Sequence, residues 1–207
     1  QRGELDQASV LLQRILDRQP RDFDALHIMG VIHAMRGQPQ MAVDCLNKAL
    51  SVKKNNSFVH FNLARALIEM GKHEEALPHH RKATELAPEH AVAWLNYGKS
   101  LFELERISES ITAFDRALQI QAGYAEALNN KGLALAELGR IPESIACFRQ
   151  AIAQQPDLTD AHWNLALQQL KLGNYGAAWI DFEFRWGTEG YSKATWAEQK
   201  SGWQGNE

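Results

Sequence analysis

The sequence predicts an all-α solenoid of stacked helical pairs, and three observations predict it. The first is a period. Small residues return every 34 positions, as Gly30, Ala64, Gly98, Gly132 and Ala166 in one series and as Ala49, Ala83, Ala117 and Ala151 in another. The second is the apolar spacing inside one period. Between residues 91 and 124, Val92, Leu95, Leu101 and Leu104 with Trp94 and Tyr97 form one helical run, and Ile107, Ile111, Phe114, Leu118 and Ile120 form the next. The third is punctuation: Pro20, Pro88 and Pro156 share a phase, and Gly37, Gly71, Gly139 and Gly173 fall between the two runs of their windows. The pattern calls for about ten helices, one more at the N-terminus, and no sheet.

Each element has its own local cause. Leu5, Ala8, Leu11, Leu12 and Ile15 make Glu4 to Arg18 one amphipathic helix, which Pro20 ends. Asp22 or Asp24 is placed to cap the next helix, which runs to about Arg36. Gly37 turns the chain and Pro39 opens the following helix, where its fixed φ and missing N–H cost nothing. Pro142 repeats that role, and Glu105 stands where the other turns have glycine. Glycine in mid-helix costs about 1 kcal/mol relative to alanine, so its return at 30, 98 and 132 needs a packing reason: the paired helices approach closely there. The alanines at 49, 83, 117 and 151 play the matching part on the second helix, with Phe114 and Phe148 expected to fill the space between neighbouring repeats. One helical pair cannot bury both its faces, so stability comes from stacking.

Trp94, Tyr97, Gly98, Leu101, Phe114 and Ala117 stand in the order and spacing of the tetratricopeptide repeat, which the chain resembles over nearly its whole length. The resemblance implies a right-handed α-solenoid. In register, repeats run 23–56, 57–90, 91–124, 125–158 and 159–192, and residues 1–22 read as the second helix of an earlier, partial repeat. Gln1 opens inside a helix-like stretch without an initiator methionine, as in an excised piece of a longer chain. Arg185 replaces the small residue of its series, which argues against a further ordinary repeat; residues 187–207, with Tyr191, Trp196 and Trp203, read as a C-terminal cap or as a lead-in to another domain. The run Phe182-Glu183-Phe184-Arg185-Trp186 followed by Trp203-Gln204-Gly205 resembles bacterial chains in which such repeats precede a glycosyltransferase domain.

Composition narrows the function. Twenty-two Lys+Arg against 25 Asp+Glu leave a net charge of −3, and no basic block marks a nucleic-acid or anionic membrane partner. No apolar run reaches the roughly 20 residues that span a bilayer. Cys45 and Cys147 share a phase three repeats apart, which a solenoid keeps separate, so both read as free thiols of a reducing, cytoplasmic compartment. No phosphate loop, nucleophile elbow, HExxH or CxxC is present, so no catalytic residue, cofactor or metal ligand is named. His79 and His80 follow Pro78 in the second repeat, and His80 takes the place of Phe114; with His73 they could be read as a metal site, but residues 79 and 80 point about 100° apart and no third ligand is in phase. A locally strained helix with a half-buried histidine is preferred.

The remaining constellation is a ladder. Asn62, Asn96, Asn130 and Asn164 recur two residues before the small-residue position, and Ile28 breaks the series in the first repeat. The tetratricopeptide resemblance implies that first helices line the concave surface. A carboxamide has one acceptor and two donors, so such a row can grip a peptide backbone, an arrangement similar to the asparagine ladder of the repeat-containing O-GlcNAc transferases. The same residues could instead bridge neighbouring helices. With Arg65, Lys99, Phe58, Phe61, Leu95 and Trp163 on the same face by phase, they form the candidate peptide-binding set. The carboxylate clamp of the chaperone-binding repeats does not match, because Phe61, Leu95, Asn129 and Trp163 occupy its positions. The function expected is a protein-interaction scaffold that takes an extended peptide or partner helix in its groove. The alternatives are the acceptor-positioning region of a bacterial glycosyltransferase and self-association through uncovered solenoid ends.

Overall fold

The computed structural model describes the backbone of residues 2–184 and the side chains of residues 5–182. Arg185, Trp186 and the predicted cap or lead-in at 187–207 lie outside the described residues. Eleven helices and no strand are present among the described residues: α1 Arg2–Arg18, α2 Phe23–Met35, α3 Pro39–Val52, α4 Ser57–Glu69, α5 His73–Leu86, α6 Ala91–Glu103, α7 Ile107–Ile120, α8 Ala125–Glu137, α9 Ile141–Gln154, α10 Thr159–Lys171 and α11 Tyr175–Phe184. The expected helices therefore all form, one pair per period. No described helix is long and apolar enough to cross a membrane.

The chain divides into two compact units, Gln1–Ile120 and Gln121–Glu207. In the first, α1 packs on α2, and α2/α3, α4/α5 and α6/α7 are helical hairpins stacked side by side. In the second, α8/α9 and α10/α11 are stacked in the same manner. The first helices of neighbouring repeats also touch, α2 with α4 and α8 with α10.

The small residues do what the period implies. Ala49, Ala83, Ala117 and Ala151 are at most 1% exposed. Phe114 and Phe148 are fully buried, and Phe148 shares a core cluster with Leu165 of the next repeat. Each ring lies over the glycine of its own hairpin. A Cβ built on Gly98 would stand 2.5 Å from Phe114 Cε1, and one on Gly132 the same distance from Phe148 Cε1. Leu46 meets Gly30 in the same way, at 2.7 Å. Where alanine replaces glycine the residue in phase with it differs: His80, with its smaller ring, corresponds to Ala64, and the Phe182 that corresponds to Ala166 is only half-buried. Ring and glycine are thus one packing unit.

Four of the inter-helix turns carry glycine in the left-handed region, Gly37, Gly71, Gly139 and Gly173, with φ between 66° and 75°. Glu105 makes the fifth, at φ 58°. A side chain there meets its own carbonyl, at a cost of about 1–2 kcal/mol. Glu105→Gly removes that strain but loosens the unfolded chain. We expect a net gain of up to about 1 kcal/mol, read as a raised urea midpoint with an unchanged slope.

The caps also follow the sequence. Asp22 accepts from Ala25 N at 2.8 Å, so Asp22 and not Asp24 caps α2. Pro39 is the first residue of α3. Pro78 lies inside α5, which nevertheless continues from His73 to Leu86. Cys147 is buried and Cys45 half-buried, and neither is in a disulfide.

Candidate functional site

The exposed face of each first helix follows the helical period. On α4 the stripe is Phe58, Asn62, Arg65 and Glu69; on α6 it is Val92, Asn96, Lys99 and Glu103. These positions fall at i, i+4, i+7 and i+11, which keeps them on one side of an α-helix. Leu95 stands about 100° away from Asn96 and is only 2% exposed. It is a core residue, and its expected place on the groove is corrected: the phase that exposes Asn96 turns the neighbouring leucine inward. Phe61, at the matching place on α4, is half-buried, while Phe58 is 59% exposed.

Around Phe58 and Phe61 the first unit assembles an aromatic cluster. His90 lies 6.1 Å from the Phe58 ring and 5.7 Å from that of Phe61. His80 meets Phe61 edge-on at 6.4 Å, and the Arg65 guanidinium sits 5.9 Å above the Phe61 ring. Beside this cluster α4, α5 and α6 enclose a recess of about 480 Å³, whose lining includes Arg65, His73, His80, Asn96, Lys99 and Glu103. Three residues named from the sequence, Arg65, Asn96 and Lys99, therefore meet at one concavity. Phase reasoning missed its deeper wall, because His73 and His80 come from the second helix of the hairpin. The only sequence signal was His80 standing where other repeats have phenylalanine or leucine. No group of three His, Cys, Asp or Glu side chains is placed to hold a metal among the described residues.

Burial governs the titration of this site. His80 is pushed down to about 4 by burial, with His79 and Arg65 beside it adding to the effect. His79 is lowered by burial and by His60, whose ring stacks on it at 5.2 Å. His60 Nε2 donates to Lys54 O at 2.9 Å, so its Nδ1 is the acceptor for His79 Nδ1–H at 3.0 Å. The same place in other repeats bonds to the same carbonyl six residues back: Trp94 Nε1 to Pro88 O at 2.8 Å, and His162 Nε2 to Pro156 O at 3.1 Å. His162 Nδ1 also meets Asp181 Oδ1 at 3.0 Å, where His79 stands in the earlier repeat. These contacts tie the inter-repeat turn to its hairpin and mark the histidine pair as structural.

The asparagine ladder splits in two. Asn62 Nδ2 reaches His27 Nε2 on α2 at 3.2 Å, and Asn164, 9% exposed, donates to Asn129 Oδ1 on α8 at 3.0 Å. Asn96 and Asn130 instead donate to their own helices, at Val92 O (2.8 Å) and Glu126 O (2.7 Å). The difference lies 35 residues earlier, where Asn62 and Asn164 have a polar residue, and Asn96 and Asn130 have Phe61 and Leu95. Two of the four are helix bridges. Trp163 is half-buried against Phe182, the rings 4.7 Å apart.

Two family models of tetratricopeptide repeats match the sequence, one over residues 61–128 and the other over residues 132–173. The chain carries tetratricopeptide repeats. A model for anaphase-promoting complex, cyclosome, subunit 3 matches residues 1–83. No curated protein matches the sequence. Among solved structures the tetratricopeptide chain resembles MamA, with a TM-score of 0.71 and 20% identity over 84% of this chain and 98% of that one. It resembles PilF of Pseudomonas aeruginosa, with a TM-score of 0.73 and 21% identity over 82% and 78% of the two chains. YrrB, described as a tetratricopeptide-repeat protein with an unusual peptide-binding site, matches with a TM-score of 0.72 and 17% identity over 91% and 97%. At such identities the likeness is one of fold: each unit is a stretch of tetratricopeptide solenoid. The glycosyltransferase resemblance of the C-terminal run is not among these matches, and most of its residues lie outside the described ones.

Proposed function

We propose that the chain is a protein-interaction scaffold that binds an extended peptide of a partner protein along the first helices of its first unit. The observation that carries this reading is the convergence of Arg65, Asn96 and Lys99 on one recess, flanked by the exposed Phe58. A large aromatic side chain left in solvent beside a concavity with paired donors and acceptors is a recognisable docking surface. The solved relative with a peptide-binding site adds support of a general kind. In this reading Asn96 is the asparagine that faces the ligand, while Asn62 and Asn164 hold neighbouring helices. Leu95 has no part in it.

The test is selection of peptides from a displayed random library on the purified chain. The expected result is a family of related sequences whose affinity falls at least tenfold with Phe58→Ala plus Arg65→Ala. Both side chains are exposed, so the variant's melting temperature should stay within a few degrees of the parent. Peptides that bind both proteins equally would place recognition elsewhere.

A further inference from the structure

We propose that the recess between α4, α5 and α6 receives the side chain of a glutamine or asparagine from the bound peptide. The inference rests on the reading above and names the side chain that this face selects.

The first support is an unexplained pair of polar atoms. Nδ1 of His80 and Nδ1 of His73 are buried with no hydrogen-bond partner. His80 is 1% exposed. Leaving such a buried atom unpaired is unfavourable. Packing alone does not call for the nitrogen, because Leu46, Phe114 and Phe148 fill the same place in three other repeats. A half-turn about Cβ–Cγ exchanges Nδ1 with Cδ2, and this torsion is broad and nearly two-fold. The nitrogen is therefore not confined to the edge of the ring where it now lies.

The second support is charge. Arg65 and Lys99 line the recess together with Glu69 and Glu103, each one helical turn beyond its cation. Positive and negative charges are equal in number, so neither a carboxylate nor an ammonium is favoured. His80 stays neutral at pH 7, because burial and Arg65 oppose its protonation. A neutral imidazole offers one donor and one acceptor. The occupant should then be uncharged and carry both functions. A primary carboxamide does, with a carbonyl oxygen and two N–H groups. The volume of about 480 Å³ admits it easily.

The experiment follows the imidazole resonances of His73 and His80 by NMR. The probes are N-acetylglutamine N-methylamide and its glutamate and norvaline counterparts. The glutamine probe should shift both rings saturably and bind at least fivefold more tightly than the other two. His80→Phe restores the residue type of positions 114 and 148 and should abolish the response at His73; His80→Leu, as at position 46, serves if the phenylalanine variant fails to fold. No saturable shift, an equal response to all three probes, or a His73 response that survives both variants would overturn the proposal. A selected peptide settles the two readings separately. If replacing its glutamine or asparagine by norvaline leaves affinity within twofold, the recess proposal is wrong while the docking surface stands. If affinity drops tenfold, the recess is its pocket.

Discussion

Phe114→Ala is expected to destabilise the first unit by about 3–5 kcal/mol, the usual loss when a buried phenylalanine is cut back. Phe114 is 0% exposed and its ring lies directly over Gly98. Glycine has no side chain to move into the gap, and the helices on either side are held by their own neighbours. The cavity should stay open. Phe182→Ala offers the internal comparison, because Phe182 is half-buried against Trp163 and Trp179 and can lose its ring with less cavity. Urea unfolding of both variants decides the point: a Phe114→Ala loss below about 1 kcal/mol, or one no larger than that of Phe182→Ala, would show that ring and glycine are not the packing unit described.

The second large effect is acid sensitivity. His80 has a folded-state pKa of about 4 against an ordinary value of 6.5. Above pH 6.5 both folded and unfolded chains hold it neutral, and its contribution does not vary. Between 6.5 and about 4 the unfolded chain binds a proton that the folded chain refuses, so stability falls with falling pH. One pKa unit corresponds to about 1.4 kcal/mol, which makes the total loss by pH 4 about 3 kcal/mol. Below that the folded form is protonated too and the slope ends. The groups around His80 are His79 and His73 on α5, Arg65 and Glu69 on α4, and Lys99 and Glu103 on α6. His79 and His27, both lowered chiefly by burial, push in the same direction. His80→Phe should remove most of the slope, and urea midpoints at pH 7, 5.5 and 4.5 for the two proteins measure it. Parallel curves would assign the acid sensitivity to other groups.

Much of this was legible in the sequence, and the limits have physical causes. A 34-residue period fixes where helices begin and end, because the same turn and the same close approach must recur. Gly37, Gly71, Gly139 and Gly173 announced the turns and Glu105 stood in the place of a fifth; their left-handed backbone is what the structure adds. What periodicity cannot resolve is a difference of one position on a helix. Leu95 and Asn96 are neighbours in sequence, yet one is core and the other faces solvent. Phe114 was recognised as core but its seat over Gly98 was not, since the sequence shows that a ring and a glycine share a period and not which glycine the ring covers. The recess escaped for a different reason. Arg65 and Lys99, and Glu69 and Glu103, are equivalent pairs one period apart, but His73 and His80 of α5 have no histidine counterpart in the other repeats, and a repeat pattern is blind to whatever does not repeat.

The ladder carries a consequence for how such a chain can change. Whether an asparagine is engaged is decided by a residue in the preceding repeat: His27 for Asn62, Asn129 for Asn164. Phe61 offers no partner, and Asn96 turns to its own helix. The pair therefore straddles a module boundary. Duplicating or exchanging one 34-residue module would carry an asparagine along but leave its partner behind. Reordering modules would switch individual carboxamides between clasp and open hand without altering a single asparagine codon.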